Sequence, residues 1–525
     1  MIQYKRIALL AACMPLLAAC NDFLDKTPDS RTELDTEDKI TKLLVSGYPT
    51  QSFIAVAEFA SDNMDDNGDR YTTFEKLSSD LFYWRDTQEN ENDDPADIWS
   101  ASYKSIAVAN QALQAIDQMG NPTSLRAQRG EALLIRAYNH FVLSYIFCQA
   151  WTEAGKDTDM GIPYATEPET TVHPYYDRGT IGQTYSRIEA DLEEGLALIS
   201  DEIFTVPKYH FNLKAAYAFA ARFYLYYRKY QKAIDCANRV LGSDASTSLR
   251  DWEAIGQLSF DNNVQPDAYI DANSRANLLL TTARSYWGLY NGPLTTTNRY
   301  THNQTIAKGE TCMSKGVWDV GLSEGSSWMN YLKFKAANYT SIPKVVFRKF
   351  ALMYMEWTNI ATQSGYYNIV QAHFTTDETL LVRAEAYAML KQYDKALADM
   401  TTWQHAFTTS TVPVTLDKVN SFYGSMAYYT PEKATPKKAF HTEFAIEPGT
   451  QENMLHYILH ARRITTLHEG LRWGDIKRYG ITIYRRIVAN NKIQVVDELT
   501  ARDPRCAIQL PTEVIGAGLP ANPRN

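Results

Sequence analysis

Paired cysteines, long apolar runs and an excess of basic charge are all missing from this 525-residue sequence. Four of its six cysteines lie far apart and form no C-x2-C pair, which excludes a zinc framework or a dense disulfide scaffold; they are Cys148, Cys236, Cys312 and Cys506. Acidic residues outnumber basic ones by 61 to 52, which argues against a nucleic-acid partner, because such a partner needs a basic face. After residue 20 no apolar run reaches the ~20 residues that cross a bilayer, so we expect a soluble body.

The first twenty residues have the pattern of an export segment. Lys5 and Arg6 form a positive end, and residues 7–17 form an apolar run that is too short to span a membrane. The export segment ends in L-A-A-C, which is similar to the bacterial lipobox. This similarity implies cleavage after residue 19 and the attachment of several acyl chains, such as palmitate, to Cys20. A plain signal peptide with an incidental cysteine is the alternative. Removing the two cations from 52 basic residues leaves 50 against 61 acidic ones, a net charge of −11.

A pattern of alanines and tyrosines occurs twice with identical spacing. The pattern is A-x2-Y-x5-Y-x2-A, and its copies are Ala221, Tyr224, Tyr230, Ala233 and Ala384, Tyr387, Tyr393, Ala396. Small residues on both sides of a short turn let two antiparallel helices approach closely, and the tyrosines fill the wedge beside them. The arrangement resembles the tetratricopeptide unit, a helix hairpin of about 34 residues whose apolar face stacks on a neighbour. An ordinary helix pair with Ala and Tyr in its core is the alternative.

Two stretches interrupt the helical pattern and are rich in aromatic and polar residues. Residues 58–97 are acidic and irregular, and residues 244–341 combine scattered Gly, Asn and Thr with many aromatics. A long loop inside a compact body is either functional or a sign of missed elements. Residues 63–68 (NMDDNG) resemble the start of a calcium loop, but Phe74 occupies the position of its bidentate glutamate. We therefore expect no cofactor, with calcium as the alternative.

Two sequence motifs resemble catalytic sites, but a structural role explains each of them better. Residues 321–325 (GLSEG) match G-x-S-x-G, but a hydrolase also needs a strand-helix sheet, which the helix-pair pattern does not supply. His456 and His460 have the spacing of zinc ligands on a helix, but Tyr457 replaces the glutamate of H-E-x-x-H. We predict surface or core histidines there.

An ordered set of motifs resembles SusD/RagB-like proteins across essentially the whole chain. The set comprises CNDFLD from Cys20, GEALLIRAYNHF around Glu131, LLVRAEAYAML around Glu385, RRITTLHEGLRWGDIKR from Arg462 and IQLPTEV from Ile508. The resemblance implies a surface-exposed outer-membrane lipoprotein with about four tetratricopeptide-like units and a loop-rich second lobe. Such proteins capture glycans, or in some members peptides, for a partner TonB-dependent, SusC-like transporter. Asp22 and Asp25 resemble a surface-export signal, which implies a lipid-anchored protein that faces the cell exterior.

The family element E-G-x-R-W-x-D corresponds to Glu469, Gly470, Arg472, Trp473 and Asp475. The three charged residues lie three apart on one helical face, where opposite charges pair. A catalytic function would require carboxylates in a cleft with separated pKa values. Because arginines neutralise these carboxylates, we predict instead a charged clamp that holds the terminal helix to the body.

No Pro/Gly/Ser-rich linker divides the chain, so one mostly α body is predicted after the export segment. The predicted parts are a signal peptide (1–19), a lipidated tether (20–35) and a SusD-like body (36–525). Helix-hairpin repeats are predicted at about 98–150, 180–241, 378–406 and 452–480, and the loop-rich ligand lobe at about 58–97 and 244–341.

The resemblance implies a shallow arc of aromatic side chains beside polar groups, but no short motif identifies its residues. The predicted ligand residues are chosen by type and region: Arg70, Trp84, Trp287, Trp318 and Trp328 for stacking or forked hydrogen bonds, and Asp65 and Asp66 to accept hydroxyl hydrogens. Packing into its own lobe is the alternative for each aromatic residue.

The leading functional prediction is a nutrient-binding lipoprotein that captures oligosaccharides and has no enzymatic activity. A peptide-binding member of the same family, a surface glycoside hydrolase and a scaffold protein are the alternatives. A glycoside hydrolase requires two carboxylic acids about 5–9.5 Å apart in the cleft, and nothing in the spacing demands them. The acidic net charge disfavours strongly anionic glycans, since like charges repel within a Debye length of about 8 Å.

Overall fold

The computed structural model describes residues 34–73, 75–87, 92–169, 175–261, 263–293, 298–319, 331–339, 341–352, 354–490 and 492–524. The predicted signal peptide, the lipidated Cys20 and the residues up to 33 lie outside these ranges. Trp328 and the 321–325 motif also lie outside them.

Eighteen α-helices dominate the part of the chain that the structure describes. They are α1 (Glu37–Val45), α2 (Ile54–Ala60), α3 (Lys76–Phe82), α4 (Pro95–Gln118), α5 (Arg126–Phe147), α6 (Ile181–Leu198), α7 (Leu213–Tyr226), α8 (Tyr230–Leu241), α9 (Trp252–Gly256), α10 (Val264–Tyr269), α11 (Trp287–Tyr290), α12 (Gln304–Glu310), α13 (Thr376–Met389), α14 (Tyr393–Phe407), α15 (Leu416–Ser425), α16 (Thr450–Thr465), α17 (Arg472–Tyr479) and α18 (Thr512–Gly516). The predicted mostly α fold class is confirmed. Within the described ranges, no helix has the length and apolar character needed to cross a membrane.

Capping residues set the start of several long helices. The Thr180 side chain accepts a hydrogen bond from the Gln183 backbone N–H at 3.2 Å, and the Gln183 side chain accepts one from the Thr180 N–H at 3.1 Å. This capping box begins α6. Asp94 caps α4, and Pro95 occupies its first position, where the missing N–H costs no hydrogen bond. These starts are therefore encoded locally in the sequence.

The two copies of the Ala/Tyr pattern form helix hairpins with the same backbone turn. Arg228 joins α7 to α8 at φ 59°, and Lys391 joins α13 to α14 at φ 58°. The next residues also match, with φ/ψ of −90°/65° at Lys229 and −88°/63° at Gln392. All four alanines of the pattern are fully buried. The predicted internal repeat is confirmed, because identical spacing produces identical turn geometry.

Aromatic rings fill the core between the helix hairpins and the longest β-strand. Tyr138 on α5 lies 5.4 Å from Phe219 on α7 and 5.5 Å from Phe374, measured between ring centroids. Phe141 lies 5.7 Å from the same Phe219 ring. Edge-to-face pairs of this kind add about 0.5–1.5 kcal/mol each to the free energy that ring burial contributes. The Tyr and Phe rings of these helices therefore form a large part of the core.

Three small sheets that the sequence analysis did not predict complete the fold. The strands are β1 (Asp65–Asp66), β2 (Asn277–Arg284), β3 (Tyr300–Thr301), β4 (Ala337–Tyr339), β5 (Lys344–Val346), β6 (Tyr354–Asn359), β7 (Ser364–Thr375), β8 (Ile483–Ala489) and β9 (Lys492–Leu499). They form a sheet of order β3-β1-β8-β9, a sheet of order β2-β7-β6 and the β4-β5 pair. Strands of two or three residues, such as β1 and β3, are too short to show an alternating pattern.

Candidate ligand-binding cleft

A cleft of about 750 Å³ lies where three distant segments of the chain meet. Residues 67–71 after β1 form one wall, which we call the early loop. Residues 303–305 and 341–343, together with Arg299, form the second wall. Residues 487–490 and Gln494 of the β8-β9 hairpin form the third. We call this site the polar cleft.

Strand β1 brings the three walls together. Asp65 pairs with Thr301 of β3, and Asp66 pairs with Tyr300 on one side and with Ile487 of β8 on the other. The early loop then turns at Gly68, which has φ 84°. A Cβ atom at this position would lie 3.0 Å from the Ala489 Cβ, so glycine permits both the left-handed backbone and the close approach to the hairpin.

Asp65 and Asp66 are buried beneath the polar cleft and bind arginines. Both carboxylate oxygens of Asp65 accept hydrogen bonds from Arg486 at 2.9 Å. Asp66 accepts hydrogen bonds from Arg299 at 3.2 Å and from the Tyr83 hydroxyl at 2.9 Å. Burial raises the pKa of Asp65, and Arg486 opposes that effect. The prediction that these two carboxylates accept hydroxyl hydrogens from a ligand is wrong, because protein donors already occupy their oxygens.

Glu310, at the end of α12, connects the second wall to the rest of the body. Its carboxylate lies 2.7 Å from Lys438, 3.0 Å from Arg463 and 3.0 Å from Arg486. Burial alone would raise the pKa of Glu310, but the three cations outweigh that effect and hold the pKa at about 2. Since α12 starts in the cleft wall, this ion cluster positions that wall against β8 and α16.

Arg70 is the only predicted ligand residue among those described that lines the polar cleft. It is exposed, makes no ion pair or hydrogen bond to other described residues, and its guanidinium lies 5.5 Å from the Tyr71 ring centroid. Gln304 and Thr305 on the second wall and Asn490 on the hairpin contribute amide and hydroxyl groups. The cleft therefore combines a forked cationic donor, one aromatic ring, the ion pair of Arg299 with Asp69 and neutral hydrogen-bonding groups.

Comparison with protein families matches residues 22–225 to the model of a SusD-like family described as "Starch-binding associating with outer membrane". The matched region includes the early loop and helices α1 to α6, and the fold described above is shared with solved structures of SusD superfamily proteins. Residues 22–225 thus match a SusD-like family, and the chain has the fold of the SusD superfamily structures. A search of curated proteins found no match.

Three solved structures illustrate how much of the SusD-like fold is shared. A putative sugar binding protein from Bacteroides vulgatus is 18% identical, with a TM-score of 0.63, and the alignment covers 94% of this chain and 99% of the other. A SusD superfamily protein from Bacteroides thetaiotaomicron is 17% identical, with a TM-score of 0.59 and coverage of 92% and 98%. A laminarin binding SusD-like protein is 14% identical, with a TM-score of 0.54 and coverage of 94% and 100%. At these identities the likeness shows the fold alone.

The three predicted ligand tryptophans that the structure describes are buried in the core. Trp84 is 4% exposed, donates its indole N–H to the Ala60 carbonyl and has the Arg485 guanidinium 3.9 Å from its ring centroid. Trp287 is 1% exposed and donates to the His468 carbonyl at 3.0 Å. Trp318 is 2% exposed and packs edge-to-face on Trp403. The prediction that these rings stack on a ligand is wrong, because neighbours distant in sequence cover them.

The predicted charged clamp does hold α17 to the body, but its residues bind distant partners instead of each other. The pairs are Arg472–Asp62 at 2.8 Å, Asp475–Arg462 at 3.2 Å and Glu469–Lys349 at 2.8 Å. Asp475 and Arg462 are fully buried. Truncating one partner of such a pair leaves an uncompensated charge and costs about 3–5 kcal/mol, which supports a structural role.

His456 and His460 are core residues. The His460 ring contacts the Ser314 hydroxyl at 2.9 Å and the Tyr423 hydroxyl at 3.1 Å, and burial lowers its pKa to about 3. His456 stacks on Phe440 with ring centroids 4.3 Å apart. Nowhere in the described ranges do three or more His, Cys, Asp or Glu residues form a group that could hold a metal ion. The core alternative for these histidines is confirmed.

The sequence analysis missed the contribution of the β8-β9 hairpin and of Arg299 to the polar cleft. A local signal for the hairpin exists: Asn490-Asn491 stands between two runs rich in β-branched residues. Arg299 lies within the predicted ligand lobe, but nothing around it in the sequence indicates that it pairs with Asp66, 233 residues earlier.

Proposed function

We propose that this SusD-like protein binds a neutral oligosaccharide in the polar cleft without making or breaking bonds. The observation that carries the proposal is the exposed Arg70 guanidinium, which forms no ion pair with the residues that the structure describes and lies beside the Tyr71 ring among amide and hydroxyl groups. Guanidinium, amide and hydroxyl groups hydrogen-bond sugar hydroxyls, and a tyrosine ring packs against the apolar face of a pyranose. The starch-binding description of the family and the laminarin-binding relative agree with this ligand class.

The carboxylates at the polar cleft support binding over glycoside hydrolysis. A hydrolase requires one carboxylic acid free to protonate the glycosidic oxygen and a second carboxylate about 5–9.5 Å away. Asp66 is buried, and the Arg299 guanidinium lies 3.2 Å from it and 2.9 Å from Asp69. Arg299 thus forms an ion pair with each of these two carboxylates, so neither is left free as a catalytic acid must be.

The proposal includes the place where the protein acts. Lipidation at Cys20 anchors it to the exterior of the outer membrane, where it hands captured glycans to a TonB-dependent, SusC-like transporter. The L-A-A-C pattern and the family description "associating with outer membrane" support this location. Capture beside a transporter lowers the escape rate of the glycan during uptake.

Calorimetric titration tests the ligand class. The chain from residue 21, which keeps every described residue, is titrated with neutral oligosaccharides, acidic oligosaccharides and peptides. We expect heat from neutral oligosaccharides alone and no shortened products by chromatography. Heat from peptides alone would identify a peptide-binding member of the family, and the release of shortened sugars would identify a hydrolase.

Arg70→Ala tests the location of the site. Hydrogen bonds to a charged group contribute about 1.5–3 kcal/mol, so affinity should fall by roughly tenfold to hundredfold. Arg70→Lys keeps the charge but loses the forked geometry, so its affinity should be intermediate. Arg239→Ala, which removes an exposed arginine on α8 outside the cleft, is the matched control and should bind normally. Unchanged affinity in Arg70→Ala would place the site elsewhere.

A further inference from the structure

The outer part of the β6-β7 hairpin extends beyond the sheet to which it belongs. Strand β2 ends at Arg284, which pairs with Asn368 of β7. Past that pair, β6 is the one strand among the described residues that pairs with β7, through the pairs Met355–Tyr367 and Trp357–Gly365. We call residues 354–367 the arm. It belongs to the β2-β7-β6 sheet, whereas the sheet that builds the polar cleft is β3-β1-β8-β9.

One face of the arm continues a face that is buried at its inner end. Side chains alternate along a strand, so residues 365, 367 and 369 of β7 share a face. Ile369 and its β2 partner Ala283 are 0% and 1% exposed, because the body covers them. Farther out on the same face Tyr367 is half-buried, and Trp357 is 50% exposed. The apolar face thus runs out of the core and ends uncovered.

Gly365 keeps the Trp357 ring open. A Cβ atom on Gly365 would lie 2.2 Å from the Glu356 carbonyl oxygen, so only glycine fits opposite Trp357. Gly365, the residue paired with Trp357 on the neighbouring strand, therefore has no side chain that could cover the indole. Tyr286 packs against Tyr367 with ring centroids 5.5 Å apart, and its backbone N–H donates to the buried Asp93 at 2.7 Å. We call Tyr286, Met355, Trp357 and Tyr367 the arm platform.

The chemistry of the arm platform favours a neutral, hydroxyl-bearing ligand. None of its four side chains carries a charge. The charged groups near the arm lie on the opposite face, where Arg284 of β2 stacks 3.6 Å from the Tyr366 ring centroid and Asn368 donates to Glu356. Exposed threonine, asparagine, glutamine and serine side chains surround the tip, at residues 358, 359 and 362–364. Flat aromatic rings beside amides and hydroxyls complement a pyranose, which has an apolar face and a rim of hydroxyls.

We propose that the arm platform is a second carbohydrate-binding surface that stacks on neutral polysaccharide chains. This inference rests on the proposed function of the polar cleft and adds to it. When a long chain is bound at one surface, its effective concentration at the other surface is raised. A short oligosaccharide occupies only the cleft. The arm platform therefore raises affinity for polysaccharide and leaves affinity for short fragments unchanged.

The test compares long and short probes on variants of the mature chain. The long probes are laminarin and soluble starch, and the short probes are laminaritetraose and maltotetraose, with binding measured by affinity electrophoresis and calorimetry. Trp357→Thr removes the ring but keeps a residue that suits a strand, so the fold is retained. We expect about tenfold weaker binding of the polysaccharide and tetrasaccharide affinity within twofold of the wild type. Trp357→Phe should recover most of the polysaccharide affinity.

Tyr366→Ala is the matched control, since it removes a partly exposed ring from the opposite face of the same hairpin. It should bind all four probes like the wild type. If the wild type binds polysaccharide and Trp357→Thr binds it equally well, the inference about the arm platform is wrong. The proposed function of the polar cleft would then still stand. Failure of the wild type to bind any of the probes would overturn the proposed function, and the arm inference with it. If Trp357→Thr instead changes the mass in light scattering, or binding to phosphatidylcholine vesicles, the arm contacts a second copy or a lipid surface and the inference is wrong.

Discussion

Replacing Glu310 by glutamine tests whether buried ion pairs hold the polar cleft together. Glu310 is 1% exposed and ends α12, the helix whose first residues line the cleft. The change keeps the shape of the side chain and removes its charge. Among the described residues, Lys438, Arg463 and Arg486 would then keep ion pairs with Asp62 and Asp65.

The magnitude of the effect follows from the burial and from the pKa. Removing one partner of a buried ion pair costs about 3–5 kcal/mol, because the remaining charge stays buried without compensation. The pKa gives a second estimate. A decrease from the ordinary value of 4.5 to about 2 corresponds to roughly 3 kcal/mol of stabilisation at neutral pH. Both routes give a loss of roughly 3 kcal/mol in the free energy of unfolding.

The pH dependence has a defined sign. The folded protein holds the Glu310 pKa below its unfolded value, so the carboxylate stabilises the fold fully above about pH 4.5. This contribution is lost as the pH falls from 4.5 towards 2. The Glu310→Gln variant lacks it, so the stability difference between the two proteins should shrink as the pH decreases through this window.

Urea unfolding at pH 7 and at several values down to pH 3 measures both effects. Glu447→Gln is the matched control, since Glu447 makes an exposed ion pair with Lys391, and such pairs contribute little. Its midpoint should match that of the wild type. A loss below about 1 kcal/mol for Glu310→Gln, or a difference that does not change with pH, would refute the view that this cluster stabilises the cleft wall.

Two further changes test the burial of a predicted ligand residue and the membrane anchor. Trp318→Ala should cost about 3–5 kcal/mol in urea unfolding, because the indole is 2% exposed against Trp403 and Tyr457. The folded fraction should keep its ligand affinity, and a loss of affinity there would restore Trp318 as a ligand contact. Cys20→Ala should move the protein from the membrane fraction to the soluble fraction, as detected by immunoblotting, because the acyl chains have no attachment site. Retention in the membrane fraction would contradict lipid anchoring.

Features encoded over short distances in the sequence were predicted correctly. The Ala/Tyr pattern indicated two helix hairpins, because its spacing within 13 residues specifies a close crossing and a turn through Arg228 or Lys391. The neighbouring charges Glu469, Arg472 and Asp475 indicated a clamp, although their partners were not predicted. The ordered motifs indicated the family, and the shared fold agrees with it.

The candidate site was harder to predict, because its residues come together only through tertiary contacts. An exposed tryptophan and a buried one look alike in sequence, and whether Trp84 or Trp357 meets solvent depends on what packs against it. The sequence likewise shows that Asp65 and Asp66 carry carboxylates, but it does not show that arginines form ion pairs with them.

The sequence by itself determined the helical repeats and the clamp, since caps, turns and apolar spacing act over a few residues. The tertiary structure alone decided which side chains face the polar cleft and which are buried. Asp65 is bonded to Arg486, 421 residues later, and the cleft walls come from three segments that are far apart in the sequence. The physical reason is that burial and ion pairing depend on neighbours in space, and a two-residue strand, β1, brings those neighbours together.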